Sequence, residues 1–133
     1  MRLHHVGIVV NDLASYGEAY KTLLGLRQAS AIFEDPIQRV RLQFWKDAHG
    51  HLLELIEPAA TDSPVRKALQ KGGGLNHLCY EVDDMDQEVR RAVESGAVLT
   101  GAIAPAVAFG GRRVAFLFFP KLNLIEFVEA AAT

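Results

Sequence analysis

Two stretches of this chain repeat one another in a fixed register. "LHHVGIVVND" at residues 3–12 returns as "LNHLCYEVDD" at 75–84, and at an offset of 72 residues Leu3 falls on Leu75, His5 on His77, Val10 on Val82 and Asp12 on Asp84. The same offset lays "HLLELIEPAAT" (51–61) over "NLIEFVEAAAT" (123–133), matching Glu54 with Glu126 and Glu57 with Glu129. Between these blocks Arg41 meets Arg113 and Phe44 meets Phe116. Two blocks in one register mark an internal duplication, with a period longer than that of solenoid repeats. Each half must therefore fold into the same succession of elements.

That succession is legible. A strand over about 2–10 runs into Asp12, a helix N-cap, after which Leu13, Tyr16, Tyr20, Leu23 and Leu24 recur at helical spacing until Gly25. The second half repeats this with Asp84 as cap and Gln87 three residues on, then Met85, Val89, Ala92 and Val93, and a stop at Gly96. Three strand-like runs follow each helix: about 27–34, 38–45 and 51–58, then about 97–108, 112–119 and 122–129. Each half reads βαβββ, which makes the chain α+β. Between the halves, "SPVRKALQK" (63–71) begins like a helix with Ser63 as cap and Pro64 in its first turn, and Gly72, Gly73 and Gly74 end it. The expectation is a single domain, 1–133, in which repeats 1–61 and 73–133 are joined by a short helix and glycine linker, 62–72.

Composition excludes several partners. At 133 residues the chain can bury a core without disulfide or zinc staples, and its one cysteine, Cys79, cannot bridge internally, so a reducing cytoplasm is the expected setting. No apolar run approaches the roughly 20 residues of a spanning helix, and "VGIVV" is too short for a signal-peptide core. A soluble protein with no membrane partner is expected. Net charge is −2, and the basic residues fall in short separate clusters such as Arg39/Arg41 and Arg112/Arg113, so no continuous basic stripe marks a nucleic-acid partner.

The repeated histidines and glutamates are the candidates for chemistry. Leu52, Glu54 and Ile56 share one side of their strand and Leu53 and Leu55 the other, so both sides are apolar and Glu54 needs a partner. The same holds for Glu126, with Leu124 and Val128 on its own side. Taken singly, such a histidine is ordinarily hydrogen bonded and such a glutamate tied to an arginine, for which Arg41 or Arg113 would serve. Taken as a duplicated pair, His5, Glu54, His77 and Glu126 would converge on a pseudo-twofold axis, and two imidazoles with two carboxylates suit one divalent transition metal: cobalt, nickel, manganese, zinc or iron. His4 is matched by Asn76 and lacks this support. His49 and His51 read as solvated loop residues, Cys79 as a small buried hydrophobe, and Glu57 and Glu129 as strand-end surface carboxylates. Arg39, Arg41 and Gln43 share a strand face that either lines a pocket or meets water.

Duplicated βαβββ modules with a His/Glu pair from each resemble the vicinal oxygen chelate superfamily of glyoxalase I, extradiol dioxygenases, methylmalonyl-CoA epimerase and fosfomycin and bleomycin resistance proteins. "HHVGIVVNDL" with "AYKTLLGL" resembles its general opening; "SPVRKALQKGGGLNHLCYEVDD", "GGRRVAFLFFP" and "LIEF" resemble the methylmalonyl-CoA epimerase branch. The resemblance implies an open, cupped mixed β-sheet barrel with helices outside, and a metal held at His5, His77 and Glu126 with Glu54 as a further ligand. It also implies a homodimer acting on a small molecule, an acyl-CoA or another α-oxygenated carbonyl compound. Some epimerases have an extra active-site glutamate on the third strand, whereas "QRVRLQFW" has no carboxylate.

The chemistry expected from this ligand set is removal of a proton α to a carbonyl polarised by the metal, with Glu126 as base and Glu54 as its counterpart for reprotonation. That suits an isomerase or epimerase. The alternatives are a glyoxalase I-type lactoylglutathione lyase, an iron dioxygenase, which a fourth protein ligand at Glu54 opposes, and a metal-free drug or natural-product binding protein.

Overall fold

The structure is a computed structural model that describes residues 1–131; Ala132 and Thr133, which end the second repeat, lie outside the described residues. Its elements are β1 (Arg2–Val9), α1 (Leu13–Leu24), β2 (Arg27–Gln28), β3 (Phe33–Asp35), β4 (Val40–Lys46), β5 (Leu52–Pro58) and α2 (Arg66–Gln70), then β6 (Gly74–Val82), α3 (Met85–Glu94), β7 (Val98–Leu99), β8 (Ala104–Pro105), a 3-10 turn (Val107–Phe109), β9 (Arg113–Phe119) and β10 (Asn123–Glu129). The class is the α+β expected from the sequence. The elements fall into two compact units, residues 5–76 and residues 1–4 with those from 77 on.

In the unit of residues 5–76, β1 runs parallel to β5, with Gly7 opposite Glu54 and Ile8 opposite Leu55. β5 is antiparallel to β4, and β2 and β3 both pair with β4. The parallel pair needs a crossover, and α1 supplies its start. The Asp12 carboxylate accepts the Ser15 N–H, and Gly25, in the left-handed region at φ 71°, closes the helix with bonds from Gly25 N to Lys21 O and from Leu26 N to Tyr20 O. The core joins Ile8, Val10, Leu13, Leu26, Trp45 and Leu55.

Three expectations change here. The run expected over 27–34 is split, because Ala29 N and the Ser30 hydroxyl both bond to the backbone of Phe44, which puts a bulge between β2 and β3. β4 starts at Val40 rather than 38, because Asp35 Oδ1 accepts the N–H groups of Ile37 and Gln38 and Arg39 takes a left-handed φ of 56°. Ser63 is not the cap of α2. The Arg66 N–H bonds to the Ser63 carbonyl in a turn that precedes the helix, Val65 is the N-cap, and no side chain caps it. Beyond α2, Gly73 has φ 68°, and a Cβ there would meet the Val9 carbonyl oxygen at 2.7 Å, so only glycine fits without a shift.

The other unit uses the same plan. β6 is parallel to β10 and β10 antiparallel to β9, with β7 and β8 paired to β9. Asp84 accepts the Gln87 N–H to start α3, which packs Met85, Val89 and Ala92 against Leu117, Ile125 and Phe127. The run expected over 97–108 is also split, and here Thr100 sends both its N–H and its hydroxyl to the Phe116 carbonyl. Among the described residues, no helix is long and apolar enough to cross a membrane.

Candidate functional site

Strand register decides where the repeated residues point. Residues opposite one another on neighbouring strands project to the same side, and so do residues two apart on one strand. Gly7 and Phe44 both lie opposite Glu54, so His5, two residues before Gly7, projects to the side of Glu54 and Phe44. His5 Nε2 is 3.4 Å from Glu54 Oε1, and the imidazole stands edge-on to the Phe44 ring at 5.3 Å. His5 is 1% and Glu54 5% exposed.

The second unit builds the same triplet 72 residues on. Cys79 and Phe116 lie opposite Glu126, and His77 precedes Cys79 by two. His77 Nε2 is 3.1 Å from Glu126 Oε1, with the imidazole edge-on to Phe116, again at 5.3 Å. Both residues are buried. The phenylalanines hold the imidazoles by edge-to-face packing, and the signal for them was already present in the repeat: Phe44 and Phe116 obey its offset.

The arginines that offered an ordinary explanation for the buried glutamates take other partners. Arg41 Nε bonds to Glu57 Oε1 at 2.8 Å, and Arg41 also reaches Glu34. Arg113 bonds through Nε and Nη2 to Glu129 Oε2 and through its backbone N–H to Glu129 Oε1, and it reaches Asp86. Glu57 and Glu129 lie at their strand ends as expected, but they are half-buried and paired rather than simply at the surface. Three residues past Glu54 and Glu126 they face the opposite side, where each ties the end of its strand to an arginine. Glu57 also accepts the Leu13 N–H at the start of α1. Hydrogen bonds from Arg113 hold the Glu129 carboxyl below its ordinary range, and those from Arg2 do the same for Glu81.

Arg39 lies outside β4 and faces Asp62 at 3.6 Å; Gln43 is buried and donates to the Ser30 carbonyl, so neither forms a pocket wall with Arg41. His51 Nδ1 is 2.8 Å from Asp47 in an exposed turn with His49 nearby, as read from the sequence. His4 packs edge-on to Phe109, and Cys79 is fully buried.

Chemically, each unit presents one imidazole nitrogen and one carboxylate oxygen a few ångströms apart on a dry sheet face. Such a carboxylate is stabilised by sharing a proton or a cation. The donors, neutral nitrogen with anionic oxygen, are compatible with a divalent transition metal.

The model of the glyoxalase/bleomycin resistance protein/dioxygenase superfamily matches residues 4–116. The chain belongs to this superfamily. Within the superfamily its relatives include the ethylmalonyl-CoA/methylmalonyl-CoA epimerase of Cereibacter sphaeroides, 34% identical over 124 residues that cover 92% of this chain and 91% of that one. The crystal structure of methylmalonyl-CoA epimerase from Mycobacterium tuberculosis matches with a TM-score of 0.83 and 31% identity, covering 98% of this chain and 89% of that one. A variant of Streptomyces coelicolor methylmalonyl-CoA epimerase, in complex with 2-nitronate-propionyl-CoA, matches with a TM-score of 0.81 and 29% identity over 99% of both chains.

Proposed function

We propose that this chain is a metal-dependent epimerase of an acyl-CoA thioester, with methylmalonyl-CoA as the type of substrate, and that His5, Glu54, His77 and Glu126 hold one divalent metal. The observation that carries the reading is the buried His/Glu pair in each unit, with the nearby arginines bonded to Glu57 and Glu129 instead. The resemblance to epimerases in both sequence and fold supports the choice of reaction.

In this reading His5 and His77 offer Nε2, and Phe44 and Phe116 keep the rings from turning. A bound divalent metal supplies Lewis-acid polarisation of the thioester carbonyl. Glu126, as a carboxylate, would take the proton from the α-carbon, the electron pair of the broken C–H bond would pass into the carbonyl, and Glu54, entering the step protonated and ligating through its carbonyl oxygen, would give its proton to the opposite face. The apolar strand faces around both carboxylates exclude water, which strengthens each electrostatic contact. The reading includes one functional domain, residues 1–133, and a homodimer, which light scattering on the eluting protein checks.

The test is metal content per chain together with deuterium uptake at the α-carbon of methylmalonyl-CoA. About one divalent metal per chain, with uptake that ceases when it is removed, is the expected result. Uptake that persists in fully stripped protein would overturn metal dependence, and a metal-loaded protein that exchanges no α-proton would overturn the reaction.

A further inference from the structure

The turn between β4 and β5, in the unit of residues 5–76, carries chemistry that the buried His/Glu pairs do not use. It runs Asp47, Ala48, His49, Gly50, His51, and bonds from Asp47 N to the His51 carbonyl and from Gly50 N to the Asp47 carbonyl close it. Asp47 organises the turn from within: its Oδ1 accepts the N–H groups of both His49 and His51, and its Oδ2 lies 2.8 Å from His51 Nδ1. Gly50 takes a left-handed φ of 85°, which lets the chain reverse between the two histidines. Both histidines are exposed, with ring centroids 6.2 Å apart.

The contact with Asp47 decides which His51 nitrogen can bind a cation. A carboxylate only accepts, so Nδ1 carries the proton and Nε2 keeps its lone pair, on an imidazole that is 77% exposed. The His51 side chain in turn holds the Asp47 carboxyl below its ordinary range, so it stays charged at neutral pH. Carboxylate and imidazole paired in this way orient histidines on metal ions and raise their basicity. A second imidazole lies within reach of the same ion. Two imidazoles with metal–nitrogen bonds of about 2.0–2.1 Å have ring centroids between about 4.5 and 6.5 Å apart as the angle between them opens from cis to trans. The observed 6.2 Å falls in that range.

The second repeat has nothing of the kind. At the offset of 72 it puts Phe119, Lys121 and Asn123 where Asp47, His49 and His51 stand, although Glu54 and Glu126 are kept three residues on. The turn is therefore separate from the duplicated pattern. We infer that it forms a second, solvent-exchanging site for a borderline divalent cation, with His49 and His51 as ligands, Asp47 fixing the His51 tautomer, and water in the remaining positions. Two imidazoles favour copper(II) over nickel and zinc, and bind magnesium or manganese weakly by comparison. Nothing in this site depends on the epimerase reading.

Calorimetric titration of copper(II) into the untagged full chain, with the electron paramagnetic resonance of the bound ion, tests it. Wild type should bind one copper per chain more than His49→Asn or His51→Asn, and the added ion should show hyperfine coupling to two nitrogens. Both positions are exposed, so these variants should keep the fold. Asp47→Asn is the sharpest variant. Its side-chain oxygen can still accept the N–H groups of the turn, but its amide donates to Nδ1 and moves the proton to Nε2. Copper at the turn should then bind about 10- to 100-fold more weakly. Equal copper stoichiometry in wild type and both histidine variants, loss in only one of them, or unchanged affinity in Asp47→Asn would each overturn the site. Copper that remains in the His49→Asn/His51→Asn double variant belongs to the buried pairs, so failure at the turn and failure at those pairs are read separately.

Discussion

The two units repeat some residues by identity and others only by volume. In residues 5–76, Trp45 of β4 packs on Gly17 of α1; at the same offset the other unit has Leu117 on β9 and Val89 on α3. A Cβ on Gly17 would stand 2.6 Å from Trp45 Cζ2, whereas Val89 and Leu117 share one core cluster. A large residue facing none became two of middle size. The histidines, the glutamates and the phenylalanines they touch are kept unchanged. Core packing accepts any filling of the right volume, but a donor atom must keep its chemistry and its position.

Several experiments would break or sharpen this contrast. The largest effect is expected at the histidines: His77→Ala and His5→Ala should each lower metal affinity by more than about 100-fold, a larger loss than for outer-shell partners. Elemental analysis that finds the metal retained in one and lost in the other would show that the two pairs do not serve equally. Next come the carboxylates. Glu126→Gln with metal retained should slow α-deuterium uptake by about 10²- to 10⁴-fold, as expected for loss of a general base, while Glu54→Gln should slow turnover to the epimer more than it slows uptake. Undiminished uptake in Glu126→Gln would remove that residue from the role.

The packing contrast can be tested by transplanting it. Gly17→Val alone should cost about 1–3 kcal/mol by overpacking, and Trp45→Leu about 2–4 kcal/mol by leaving a cavity. The double variant, which copies Val89 and Leu117, should be more stable than the sum of the two costs allows, as denaturant titration of all four proteins would show. Additive costs would mean that the two sites do not share one space.

The smallest effect concerns acid. Arg113 lowers the Glu129 carboxyl in the folded state, so the unfolded chain binds more protons as pH falls. The stability this pair contributes is present in full above the ordinary value of 4.5 and is lost as pH drops through the lowered one. Glu129→Gln should flatten the fall of Tm in that acid range and change little at pH 7, where exposed pairs of this kind contribute modestly. An unchanged slope would show that Glu129 is not part of the acid response.

Much of this was legible because it is local. Helix α1 shows its Asp12 cap and Gly25 stop within one segment, and the offset of 72 aligns His5 with His77 and Glu54 with Glu126 without any knowledge of contacts. Ser63 was misread for an equally physical reason. A serine before Pro64 has the pattern of a cap, but the turn it closes with Arg66 comes before the helix, and its side chain is buried instead. The splits between β2 and β3 and between β7 and β8 were hidden too, because they come from Ser30 and Thr100 bonding to the backbone of Phe44 and Phe116 on another strand.

The sequence by itself determined the duplication, the order of elements in each half, and the side of each strand on which its histidine and glutamate lie, because side-chain alternation is a property of neighbouring residues. Only the tertiary structure decided the pairings. Arg41 and Arg113 stand close enough in sequence pattern to serve either glutamate of their neighbouring strand, and strand register brings them to Glu57 and Glu129 while Glu54 and Glu126 face imidazoles. Partner choice depends on which groups share a side at hydrogen-bonding distance, and that is settled between strands rather than along one.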